Sequence, residues 1–320
     1  MTVYLLRRSA FLLVSFLIAI VAIFVLLRLL PGDPSNALLS ATSTPEQIAA
    51  AQAQVGADRP VLEQFFTWFA QLARFDLGES FISSLPVWPE IQARLAVTVP
   101  LTLLAFALAL AVSLVAGFVA ATKADRWYGI AISGFSQLGV AVPVFWVGIV
   151  LVGVFAVGLR VLPSSGFPRD DWADPADALR SLTLPVITVA IVMSASLTRY
   201  VRSATLDVIG SDYLRSARAQ GSGYVEALWR HGLRNGAVPV ISILGIELAT
   251  TFLGAVVVES VFSLPGLGSM LLRAIEQHDY PNIQGVLFFS TLLVLVIGFA
   301  ADIAQRLVDP RLRLTISGNR

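Results

Sequence analysis

The chain has 320 residues, 56% of them hydrophobic and 13% charged, with 22 basic and 21 acidic residues giving a net charge of +1. Its mean hydropathy is +0.78. Soluble domains carry about 25% charged residues, so this composition excludes an ordinary soluble enzyme, a disordered chain and a nucleic-acid binder.

Six blocks are apolar and long enough to cross a bilayer, which takes about 20 residues. They are Ala10–Leu30, Leu95–Ala121, Trp127–Leu159, Ser181–Thr198, Gly236–Val258 and Ile283–Ala301. Backbone amides find no partner in lipid, so each block is expected to be a helix. The first is too long for a signal peptide and lacks a small-x-small cleavage site. It stops at Leu30-Pro31-Gly32-Asp33-Pro34. The third is long enough to include a turn, and Pro143 and Pro185 are expected to kink their helices.

Between the first two spans, Thr44-Pro45-Glu46-Gln47 reads as a capping box with proline at the first helical position, and Gly56 suits that helix's end. Asp58-Arg59-Pro60 opens a second helix, in which Leu62, Phe65, Phe66, Phe69 and Leu72 recur at helical spacing. That helix packs on the ends of the spans or offers a docking surface to an external partner.

Basic residues set the orientation. With the N-terminus inside, the inner segments hold Arg7, Arg8; Lys123, Arg126; Arg199, Arg202, Arg215, Arg218, Arg230, Arg234; and Arg306, Arg311, Arg313, Arg320. That is 14 of the 22 basic residues, so both termini are expected in the cytoplasm. Asp170, Asp171, Asp174 and Asp177 fall in one outer loop. The expected division is 1–30 (N-terminus and first span), 31–94 (external segment with short helices), 95–309 (five-helix core) and 310–320 (cytoplasmic tail). The core contains a long cytoplasmic loop, 200–238.

That loop is polar but patterned. Asp212 to Arg218 can form one short helix, Gly221-Ser222-Gly223 breaks it, and Tyr224–Arg234 can form another with Val225, Leu228, Trp229 and Leu233 on one face. Gly221 is expected to end the first helix by adopting positive φ or by admitting a close neighbour. A helix–turn–helix attached to spans four and five is a stiff lever, which topology alone does not require.

The run from Asp212-Tyr213-Leu214-Arg215-Ser216-Ala217-Arg218-Ala219-Gln220-Gly221 to Trp229-Arg230-His231-Gly232-Leu233-Arg234-Asn235 and Pro239 resembles the ATPase-docking loop of ABC importer permeases. It is similar to the B-type permeases of dipeptide and oligopeptide importers. The general importer loop begins Glu-Ala-Ala, where this chain has Arg215-Ser216-Ala217. Gln220 stands where the peptide branch often has lysine, and Gly298-Phe299-Ala300 where it often has an Asn-Leu pair. Other matching segments follow in order along nearly the whole chain. They are Leu30–Pro34, Asp58–Pro60, Asp76-Leu77-Gly78-Glu79-Ser80, Glu259–Gly268, Asp279-Tyr280-Pro281-Asn282-Ile283-Gln284-Gly285 and Asp309–Arg313.

The resemblance implies an all-α, six-span type I ABC importer permease in a bacterial inner membrane. It implies a second permease that pairs with this chain as a heterodimer, two cytoplasmic ATPases that use ATP and Mg, and an external substrate-binding protein. Substrates implied are di- and oligopeptides, with nickel chelates and glutathione in subgroups. The docking residues it implies are Arg215, Ser216, Ala217, Arg218, Gly221, Trp229, Arg230 and His231.

No chemistry of the chain's own is expected. It has no Cys and only two histidines, His231 and His278, and Lys123 is the single lysine with no phosphate-loop glycines around it. No cofactor, metal or nucleic acid is therefore expected on this chain. Glu247 and Glu259, in or near span five, are the candidates for the translocation path, because an acid at membrane depth faces protein or water. For Glu247 a structural hydrogen-bonding role stays equally open. Glu259 can instead hold the loop at Pro265-Gly266. A secondary transporter or channel is the rival class, and it needs no lever.

Overall fold

The computed structural model describes residues 2–29, 44, 46, 47, 49, 59–228 and 232–308. Leu30–Pro34, Gly56, Asp58, Trp229, Arg230, His231 and Asp309–Arg320 lie outside these described residues. The architecture is all-α. In chain order the helices are α1 (Thr2–Leu29), α2 (Val61–Ala73), α3 (Val87–Thr122), α4 (Trp127–Ala141), α5 (Val144–Leu151), α6 (Pro175–Ile209), α7 (Asp212–Ala219), α8 (Tyr224–Ala227), α9 (Leu233–Val261), α10 (Leu267–Glu276) and α11 (Tyr280–Val308).

Five of these are long and apolar enough to cross a bilayer: α1, α3, α6, α9 and α11. The third expected span is instead a bent pair, with α4 and the helix running on from α5 to Gly158 meeting at 105°. Pro143 causes the break. It has no N–H to continue the ladder, and it forces Val142 into an extended conformation at φ −85 and ψ 125. Pro185 lies buried within the unbroken α6. That helix outruns its apolar block at both ends. Asp174 caps it through Ala176 N at 2.9 Å and Asp177 N at 3.3 Å, with Pro175 in its first turn.

The chain divides into two compact units. One comprises residues 1–5, 99–264 and 296–320. Its centre is α6, which packs on α4, α5 and α9. Small residues let the helices close up. A Cβ on Gly139 would stand 2.6 Å from Ala195 Cβ, and one on Gly117 would stand 2.6 Å from Val201 Cβ.

The second unit comprises residues 6–98 and 265–295. Its core joins Ile20, Ile23, Phe24 and Leu27 of α1 to Trp68 and Leu72 of α2 and to Ile283 and Phe288 of α11. Thr44 N donates to Gln47 Oε1 at 2.8 Å and Gln47 N to Thr44 Oγ1 at 3.3 Å, the reciprocal pair of a capping box. The same unit brings together two motifs nearly 200 residues apart. Asp279, 1% exposed, accepts from Ser80 Oγ, from Phe81 N at 3.1 Å and from Asn282 Nδ2 at 2.9 Å. Ser80 Oγ in turn accepts from Ile82 N at 3.1 Å and Ser83 N at 3.0 Å.

Candidate functional site

The segment between α6 and α9 carries a short helix anchored to the end of α6. Leu214 and Ala217, three residues apart on α7, turn inward and pack with Val208 of α6 and with Ala227 and Leu228. Phe118 and Ile209 complete this small core. The remaining face of α7 points away from the chain: Asp212, Tyr213, Arg215, Ser216 and Arg218 are all exposed. Arg215 reaches Asp212 at 3.3 Å, but both side chains are largely solvated, so the pair fixes little.

Gly221 terminates α7 with φ +93. Its N–H donates to Arg218 O at 3.0 Å and Ser222 N donates to Ala217 O at 3.2 Å, closing the helix end in the left-handed turn that glycine favours. A Cβ placed there would meet nothing within 4 Å. The glycine is therefore required by its backbone conformation and not by a close neighbour within the chain. The α-helical part of the second loop helix covers Tyr224–Ala227; Leu228 and Gly232 are π-helical, and α9 begins at Leu233.

Of the sequence-derived docking residues, Arg215, Ser216 and Arg218 share the exposed face, whereas Ala217 is 9% exposed and belongs to the anchor. Leu214 was the residue missed, although its spacing to Ala217 and its apolar character in a polar helix mark it. Behind the anchor, α3, α6 and α9 enclose an apolar groove of about 230 Å³ lined by residues including Leu114, Phe118, Val201, Val208, Leu228 and Val240.

Glu247 sits mid-helix on α9 and is half-buried. Ser196 Oγ of α6 donates to its Oε1 at 2.7 Å. One turn away, Thr251 Oγ1 lies 3.4 Å from Met193 Sδ. A polar seam thus runs between α6 and α9 within apolar spans. Glu259 is fully enclosed, at 0% exposure, and is engaged within the protein. His278 adopts φ +55 at the end of α10. Among the described residues no group of His, Cys, Asp and Glu is arranged to hold a metal.

Residues 1–102 match the family described as binding-protein-dependent transport system membrane component, N-terminal, and residues 113–314 the inner membrane component of the same systems. A putative peptide transport system permease protein of Brucella abortus is 38% identical over 98% of this chain and 99% of its own length. A glutathione transport system permease protein of Escherichia coli is 31% identical over 97% of this chain and 98% of its own. Among solved structures, an inward-facing methionine ABC transporter chain superimposes with a TM-score of 0.54 at 17% identity, covering 70% of this chain and 96% of that one. With both family regions present in order and near full-length relatives on both sides of the comparison, the chain belongs to the inner membrane permease components of binding-protein-dependent ABC importers, which transport and do not catalyse.

Proposed function

We propose that this chain forms half of the translocation pathway of an ATP-driven importer for di- and oligopeptides. The observation that carries the reading is α7, held by Leu214 and Ala217 to Val208 of α6 and to Ala227 and Leu228 while Tyr213, Arg215, Ser216 and Arg218 project outward. A movement imposed on that face passes directly into the end of α6. The partners are a second permease, two cytoplasmic ATPases that bind ATP and Mg, and an external substrate-binding protein. Residues 200–238 and both termini lie in the cytoplasm, and 31–94 lie outside, an orientation that the distribution of arginines supports. Arg215, Ser216, Arg218 and Gly221, with Trp229, Arg230 and His231 further along, serve the ATPase contact. A peptide substrate agrees with the name of the Brucella abortus relative. The name of the Escherichia coli relative favours glutathione as the second reading.

Within this reading Glu247 faces the path and meets the amino group of the substrate, with Ser196 holding the carboxylate in place. Glu247→Gln keeps the shape and the Ser196 contact but removes the charge. Uptake of free dipeptides is expected to fall by about tenfold, the equivalent of roughly 1.4 kcal/mol. Uptake of N-acetylated analogues should change little. Competition assays with labelled peptide in cells expressing the complete importer make the comparison. Equal losses for both substrates would return Glu247 to a purely structural role, and failure to transport any peptide in the unmodified importer would reject the substrate class.

A further inference from the structure

α2 carries more apolar surface than its own unit uses. At about 100° per residue, Phe65, Trp68, Phe69 and Leu72 fill one arc and pack into the core with α1. Leu62, Phe66, Ala70 and Ala73 fill the adjoining arc, and Glu63, Thr67 and Gln71 take the rest. The second arc is open. Leu62 is 72% exposed and Phe66 64%, and Phe75, just past the helix end, is 82% exposed.

The depth of this arc follows from α1. Arg7 and Arg8 lie at one end of its apolar run and Arg28 at the other. A guanidinium at a span's end reaches the lipid headgroups. The Arg28 guanidinium stands 5.2 Å from the centroid of Phe24, one turn inward. One turn is about 5.4 Å. Phe24 touches Phe65 at 5.2 Å and Trp68 at 5.9 Å between centroids. α2 is therefore held where headgroups meet acyl chains, and at that level α1 itself exposes Val25, Leu26 and Leu29. Exposed arginines, Arg59 and Arg74, flank α2 at both ends. Phe75 keeps φ +58, a conformation unusual for a side chain of its size, and its ring is left exposed.

We propose that α2 is an interfacial anchor whose second arc, Leu62 and Phe66 with Phe75, inserts among phospholipid acyl chains while Arg59 and Arg74 meet lipid phosphates. The assignment to the outer leaflet rests on the topology proposed above; contact with lipid does not.

The natural chain has no Cys, which permits single-cysteine variants at Leu62, Phe66 and Phe75 and, on the polar arc, at Thr67 and Gln71. Each carries a nitroxide in the complete importer, with partner cysteines replaced, in phosphatidylethanolamine–phosphatidylglycerol vesicles. Collision with oxygen is expected to exceed collision with a water-soluble nickel chelate severalfold at Leu62, Phe66 and Phe75, and the order should reverse at Thr67 and Gln71. Dominance of the chelate at Leu62 and Phe66 would overturn the proposal by placing the arc in water. Exclusion of both reagents would overturn it by showing a protein cover, whether the second permease, the binding protein or residues 30–58. The leaflet is read separately. Ascorbate added outside right-side-out vesicles should reduce the Thr67 label, and reduction only after permeabilisation would overturn the topology while leaving the lipid contact standing.

Discussion

Asp279→Ala is expected to leave little folded permease in the membrane. Asp279 is the common acceptor for Ser80 Oγ, Phe81 N and Asn282 Nδ2, in a position only 1% exposed. Alanine abandons all three donors, of which Ser80 Oγ and Asn282 Nδ2 are buried. Orphaned buried donors cost about 1–3 kcal/mol each, so a loss of about 3–5 kcal/mol follows, a large share of a typical protein's stability. The turn at 80–83 then loses its tie to the chain between α10 and α11. Thermal melting of the purified subunit, followed by fluorescence size exclusion, should show a fall of roughly 5–10 °C, or no monodisperse species at all. Asp279→Asn keeps an acceptor oxygen for Ser80 Oγ and Asn282 Nδ2 but turns its NH2 toward Phe81 N, so it should lose less than alanine and more than nothing. An unchanged melting temperature for the alanine variant would mean that the two motifs are not joined through this residue.

Gly221→Val is expected to abolish uptake while the chain still inserts. At φ +93 a residue with a Cβ is strained by roughly 1–2 kcal/mol, and a β-branched one by more. The space around the position is open, so the fault would lie in the backbone and not in a clash. α7 has eight residues, too few to be stable without tertiary anchoring. Losing its terminal hydrogen bonds re-aims the exposed face. Uptake should fall at least tenfold with membrane levels unchanged. Gly221→Asn, which tolerates the left-handed region, should retain most activity. Normal uptake by the valine variant would place the lever elsewhere.

The spans were legible because lipid admits few alternatives to a long apolar helix. Their ends were not. Ser181–Thr198 marks only the hydrocarbon-depth part of α6, which runs on through Arg199, Arg202 and Asp207 to Ile209. Hydropathy does not register a helix that leaves the membrane without stopping. Pro143 announced a kink, but the 105° angle depends on Val142 turning extended. In the loop, the Gly-Ser-Gly break made Gly221 readable from local rules. Ala217 was grouped with its docking neighbours although its three-residue spacing from Leu214 puts it on the anchoring side. The Ser196–Glu247 and Ser80–Asp279 contacts join residues 51 and 199 positions apart, and no local pattern encodes them.

In the proposed importer the exposed face of α7 touches the ATPases. Single cysteines at Tyr213 and Ser216, modified with a benzophenone photo-crosslinker in the purified complete importer, test it directly. Ser165, in the exposed loop between α5 and α6, provides the comparison on the opposite side of the membrane. Irradiation is predicted to join the permease to an ATPase subunit from Tyr213 and Ser216 and not from Ser165. An intact complex that yields no ATPase adduct from either α7 position would contradict the account.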